Sequence, residues 1–120
     1  MLKRKDKQSL GKAGEDYACQ MLTKAGLQIV RRNYRNPKGE MDIIARDGSQ
    51  LVFIEVRTRS SNLRGWGEES ITEQKRVRLN KVASYYLIEQ GYLEWPSIRF
   101  DLIALRWQDG KLEGNWIQNI

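Results

Sequence analysis

Residues 40–59 read EMDIIARDGSQLVFIEVRTR, and the reading of this stretch decides the fold. Two aliphatic, β-branched runs flank Asp47-Gly48-Ser49-Gln50, the pattern of a β-hairpin. Glycine at the first central position of a two-residue loop is the type II′ signature. With Gly48 and Ser49 as that loop, Asp47 faces Gln50, Ile44 faces Phe53, Asp42 faces Glu55 and Glu40 faces Arg57. The two carboxylates Asp42 and Glu55 then stand opposite each other on one face, with Cβ atoms about 5 Å apart. The reverse face carries Met41, Ile43 and Ala45 against Val52, Ile54 and Val56, an uninterrupted core. A one-residue slip would send the acids to opposite faces, and the core pattern argues against it. Like charges so placed repel. In a partly buried site one of them takes up a proton, or a cation binds between them. Arg57 lies on the same face. The stretch therefore fits a structural Asp–Glu–Arg cluster, or a divalent-metal site of two or three carboxylates beside a cation.

Outward from the hairpin, residues 9–25 predict a helix. Leu10, Ala13, Gly14, Tyr17, Ala18, Met21, Leu22 and Ala25 recur at helical spacing, and Gly26 is the expected stop. Glu15 falls on the border of that apolar face, where an ordinary flanking residue would also sit. Asp16 and Lys12 point to solvent. Residues 27–35 predict a strand and NPKG (residues 36–39) a turn. Residues 60–70 predict a loop in which Gly65 and Gly67 bracket Trp66, long enough to suggest function. Residues 72–90 predict a second helix ending at Gly91, with Leu79, Val82, Ala83, Tyr86 and Leu87 inward. Projected back toward the loop, that face meets Thr72 and Arg76, with Lys75 on its flank. These long side chains either cover the core edge with their stems or present cations at a site. Residues 97–107 predict a strand, Asp109-Gly110 a tight turn, and residues 111–119 a last strand. The order αβββαββ implies the α/β class: one mixed sheet with helices packed on it. The strands joined across the second helix are expected to run parallel, through a right-handed crossover.

The 120 residues suit one domain, 1–120, with residues 1–8 as a basic N-terminal tail. The tail has no apolar run behind it, unlike a secretory signal. Mean hydropathy is −0.66, and no stretch suggests a membrane span. The single Cys19 excludes an internal disulfide and fits a reducing cytoplasm. With no histidine, His-based acid–base chemistry, Ser-His-Asp and Cys-His triads and His-ligated zinc are all excluded. A metal would need oxygen ligands, which points to magnesium, manganese or calcium. The net charge of +6 attracts polyanions, nucleic acid first. Residues 57–81 hold seven Lys/Arg against three acids, while residues 99–120 hold three of each sign.

An acid, then about a dozen residues, then acid–x–basic at the end of an apolar strand resembles the PD-(D/E)xK nuclease superfamily. GKAGEDYACQML (residues 11–22), GEMDIIARDGSQLVFIEVRTR (39–59), ITEQKRVRL (71–79) and RFDLIAL (99–105) together resemble the YraN family of small bacterial proteins. That resemblance spans roughly residues 9–105 and implies a restriction-endonuclease-like, Holliday-junction-resolvase-like core. It also implies that Asp42 and Glu55 bind Mg²⁺ or Mn²⁺, with Glu15 as an additional acid. Glu40 would support the site or the turn, and Lys75 would match a recurrent basic position. The motif lysine is replaced by Arg57, which stays protonated and cannot serve as a base, though it can stabilise phosphate charge.

Three functions follow as expectations. The first is a divalent-metal-dependent DNA endonuclease acting on branched or structured DNA. Asp42, Glu55, Arg57, Lys75 and Glu15 would be its catalytic set, and Asp42, Glu55 and Glu15 would hold the metal. The second is a catalytically weak or inactive nucleic-acid-binding module using Arg59, Trp66, Lys75, Arg76 and Arg78. DNA is expected over RNA, and cutting a symmetric junction would call for a homodimer. The third is a protein-interaction domain, against which the registered carboxylates argue.

Overall fold

The computed structural model describes the backbone of residues 4–59 and 71–120, and the side chains of residues 11–59 and 71–120. Helix α1 spans Arg4–Lys24, and strands β1 Gln28–Asn36, β2 Gly39–Asp47 and β3 Gln50–Arg59 follow. Helix α2 spans Glu73–Glu89, and strands β4 Ile98–Gln108 and β5 Lys111–Ile117 close the chain. The expected loop around Trp66 lies outside the described residues.

The five strands form one mixed sheet in the order β1-β2-β3-β4-β5. β3 and β4 run parallel across α2, as the crossover required, and the other neighbours are antiparallel. The hairpin register holds from Asp47↔Gln50 to Ile43↔Ile54. Gly48 has φ 61 while Ser49 is not left-handed, which matches the type II′ loop.

The helices cover opposite faces of the sheet. Beneath α2 lie Tyr34, Met41, Ile44, Leu51 and Phe53, meeting Leu79, Val82, Ala83, Tyr86 and Leu87. Those five are the α2 residues that helical spacing turns inward, and all are buried. Beneath α1 lie Ile43, Ala45, Val52, Ile54, Ile103 and Leu105, meeting Ala18 and Leu22. Each large apolar side chain buried in these layers contributes roughly 1.5–3 kcal/mol.

α1 begins at Arg4, so the basic segment expected as a tail is helical from that point. It ends as expected: Leu27 N bonds Leu22 O and Gly26 N bonds Thr23 O, a Schellman closure. A Cβ on Gly14 would collide with the Thr58 side chain of β3, so glycine lets α1 lie directly on the sheet and brings Glu15 to its surface. β5 stops at Ile117, and the end of the chain is fastened differently. Buried Asp101 accepts Arg99 Nε at 2.9 Å, Trp116 Nε1 at 2.9 Å and the Asn119 amide at 2.9 Å. A buried charge is tolerable only when it is paired and hydrogen-bonded in this way.

One face assignment is corrected. Met41 was expected to join Ile43 and Ala45, yet it packs beneath α2 while they pack beneath α1.

Candidate functional site

β2 and β3 part company beyond Ile43 and Ile54. Past that point β2 stays with β1, through Tyr34↔Met41 and Arg35↔Glu40. β3 stays with β4, from Glu55↔Leu102 to Arg59↔Arg106. The sheet therefore splits, and Asp42 and Glu55 are the first residues beyond the split. This corrects two expectations. Asp42 and Glu55 are not ladder partners, and Glu40 pairs with Arg35 at 3.0 Å rather than facing Arg57. The physical reason is that each central strand follows its outer neighbour.

A split exposes backbone groups that a ladder would have satisfied. Asp42 Oδ2 fills one vacancy by accepting the Val56 amide at 2.8 Å. Asp42 and Glu55 line a common cavity of about 270 Å³ with Glu40, Arg78, Met41 and Leu79. Burial pushes the Asp42 carboxyl up to about 6, although the Val56 hydrogen bond pulls it down. The neighbouring charges of Glu15, Glu55 and Glu40 add to the rise.

Glu55 is held by two cations. Lys75 Nζ lies 2.8 Å from Oε1, and Arg57 Nη2 lies 3.5 Å from Oε2. Side-chain exposure is 17% for Glu55, 19% for Lys75 and 9% for Arg57, so the group is largely shielded from solvent. Oε2 is buried and takes no hydrogen bond among the described residues. Lys75 is presented by the helix start: the Thr72 side chain accepts the Lys75 amide at 3.1 Å and caps α2. Sequence spacing set Lys75 on the flank of α2, and the structure brings that flank to the acid.

Glu15 stands on α1 with Arg32 Nη2 at 3.8 Å. The Asn33 amide, oriented with its nitrogen toward the carboxylate, donates to Glu15 Oε1 at 2.8 Å. Among the described residues no three His, Cys, Asp or Glu side chains gather into a ready metal cage. Asp42 and Glu55 still suit a hard divalent cation that keeps several waters. Glu55 Oε2 is buried without a hydrogen bond, and the Arg57 guanidinium lies beside it.

The expected phosphate-binding residues are placed unevenly. Arg78 is exposed on α2 and reaches the cavity. Arg76 lines a smaller neighbouring groove with Asn80, Phe100 and Ile120. Arg59 is exposed at the end of β3. Trp66 lies outside the described residues. Spacing did not single out Asn33 or the Val56 amide. An asparagine inside a strand pattern was the one available signal, since asparagine is depleted in strands and suited to left-handed backbone. No helix among the described residues is long and apolar enough to cross a membrane.

The family model of the uncharacterised protein family UPF0102 matches residues 14–105. A UPF0102 protein of Desulfitobacterium hafniense (strain Y51) is 58% identical over 103 residues, 86% of this chain and 85% of its own. One from Moorella thermoacetica is 48% identical over 99 residues, covering 82% and 81%. One from Symbiobacterium thermophilum is 43% identical over 111 residues, covering 92% and 93%.

Proposed function

Starting from a chain that belongs to the UPF0102 family, we propose a nucleic-acid-binding protein with a divalent-cation site at the sheet split, acting as a slow endonuclease on structured DNA. The carrying observation is that Asp42 and Glu55 line one cavity with Arg78, while Glu55 Oε2 is buried without a hydrogen bond. In this reading the sheet with its helix on either face is a restriction-endonuclease-like core. Asp42 and Glu55 hold Mg²⁺ or Mn²⁺, and Glu15 adds negative charge from α1. A bound ion would polarise a phosphate oxygen and activate a water. Arg57 stays protonated and stabilises charge on the phosphate. Lys75, 2.8 Å from Glu55 Oε1, is the candidate for the amine that the motif position lacks. Arg76, Arg78 and Arg59 fasten flanking phosphates.

A second reading has its own support. Lys75 and Arg57 both occupy Glu55, so an ion must share or displace a cation already there. That arrangement favours a nucleic-acid-binding module in which cleavage has been lost. The discriminating experiment incubates labelled single strands, duplexes, flaps and four-way junctions with the protein and Mg²⁺ or Mn²⁺, beside Asp42→Ala. Cleavage that needs both the ion and Asp42 supports the enzyme. Salt-sensitive binding without cleavage supports the module. Absence of both ends the nucleic-acid reading.

A further inference from the structure

The β1–β2 ribbon turns over at one step. Arg32 pairs with Ile43, and both belong to the α1 side: Arg32 reaches Asp16 at 2.7 Å, and Ile43 packs beneath α1. Tyr34 pairs with Met41, and both pack beneath α2. Residues two apart in a regular strand share a face, so the faces exchange between these pairs. Arg31 supports the exchange independently. Its guanidinium lies 4.7 Å from the centre of the Tyr34 ring, although residues three apart in a regular strand point to opposite sides.

The residues inside the exchanged step are Asn33 and Asp42. Asn33 has φ 53, a left-handed conformation that most side chains resist and asparagine tolerates. Regular alternation would set Asp42 beside Ile44, under α2 and away from α1. The turnover instead aims it across the split, where it takes the Val56 amide, while the register sets Asn33, the neighbour of Glu15, opposite it. With its amide turned so that the nitrogen faces the carboxylate, the same left-handed residue donates to Glu15 Oε1 at 2.8 Å and Oε2 at 3.2 Å.

We infer that Asn33 is a positioning residue of the acid site: its left-handed backbone aims Asp42 into the split, and its amide holds Glu15 beside it. This deepens the cation-site reading above and rests on it. Asn33 then links the cavity of Asp42 and Glu55 to the separate groove that Glu15 lines with Arg32 and Asn33 on the α1 side. Neither half of the role can be filled by an ordinary strand residue, because one half needs the backbone and the other needs a donor.

The test is calorimetric titration of the full chain with Mn²⁺ alone. The variants are Asn33→Ala, Asn33→Gly, Glu15→Gln, the Asn33→Gly/Glu15→Gln pair and Asp42→Ala. Glycine accepts left-handed backbone and alanine resists it. Asn33→Ala is expected to weaken Mn²⁺ binding at least tenfold, and Asn33→Gly less than threefold, with folding checked by cooperative melting. Glu15→Gln should shift the affinity at least threefold in the parent and markedly less in the Asn33→Gly background, where nothing holds Glu15. Asn33→Ala binding as the parent does, glycine and alanine weakening it alike, or a Glu15→Gln effect absent or equal in both backgrounds would each overturn the inference. If alanine does not fold, the glycine background still decides through Glu15. Binding that survives Asp42→Ala would overturn the cation site itself. Binding lost with Asp42→Ala but indifferent to Asn33 would overturn the role of Asn33 alone.

Discussion

Lys75 Nζ stands 2.8 Å from Glu55 Oε1, so a cation from the first turn of α2 is already seated on one of the two acids at the sheet split. Glu55 is shielded enough that losing this partner would leave a poorly solvated carboxylate beside Arg57. The pair thus ties the helix start to the split and competes with any ion for Glu55.

Replacing Lys75 separates those two roles. Lys75→Met should lower stability by about 1–3 kcal/mol, the scale for a charge-assisted hydrogen bond at a part-buried carboxylate. It should also tighten Mn²⁺ binding, because the competing cation is gone, while weakening DNA binding. Urea denaturation and calorimetry on the same variant read both effects. Weaker Mn²⁺ binding would show that Lys75 supports the ion rather than competing with it.

Asp42 sets a pH dependence whose sign is defined. Its carboxyl is raised to about 6 from an ordinary 3.8, so between those values the folded chain holds a proton that the unfolded chain has released. Stability therefore falls as pH rises through this window, by roughly 2–3 kcal/mol at most. Asp42→Asn should remove that fall and melt higher than the parent at pH 7.5, with little difference near pH 4. A bound divalent ion favours the ionised acid, so stabilisation by Mn²⁺ should grow from pH 5 to pH 7.5. Melting curves at these pH values, with and without Mn²⁺, check both statements.

Much of this arrangement is legible in the residues, for reasons that can be named. The buried face of α2 follows from helical period alone, since Leu79 to Leu87 repeat at threes and fours. The hairpin register follows from Gly48 and from alternation up to Ile43 and Ile54. Where that ladder stops does not follow. It depends on β1 and β4 holding the two central strands apart, and both pairings are non-local. The place of Met41 beneath α2 was hidden for a related reason, because one backbone dihedral at Asn33 exchanges the faces. Glu15 could be set on the border of α1, but its partners Asn33 and Arg32 lie on a strand that helical spacing does not describe.

Phosphate contacts should make nucleic-acid binding steeply salt-dependent. Arg78 reaches the cavity while Arg76 lies in the neighbouring groove. Arg76→Ala with Arg78→Ala should weaken binding to all sequences alike and flatten the salt slope by about two contacts. Fluorescence anisotropy across a salt series measures this. An unchanged slope would remove these arginines from the interface.

Arg57 separates enzyme from binder. Arg57→Lys puts at the motif position an amine that, unlike a guanidinium, can give up its proton. Metal-dependent cleavage should rise while DNA affinity changes little. If Lys75 already supplies the amine, Arg57→Lys will do little and Lys75→Ala will abolish the cleavage instead. Single-turnover cleavage assays distinguish these outcomes.

The central claim is that Asp42 and Glu55 act together on one divalent ion at the split. Mn²⁺ titration of the parent and of the Asp42→Ala/Glu55→Ala variant at pH 7.5 tests it most directly. The account predicts one saturable site in the parent and none in the double variant, both chains melting cooperatively. Equal Mn²⁺ binding by the two proteins would contradict it.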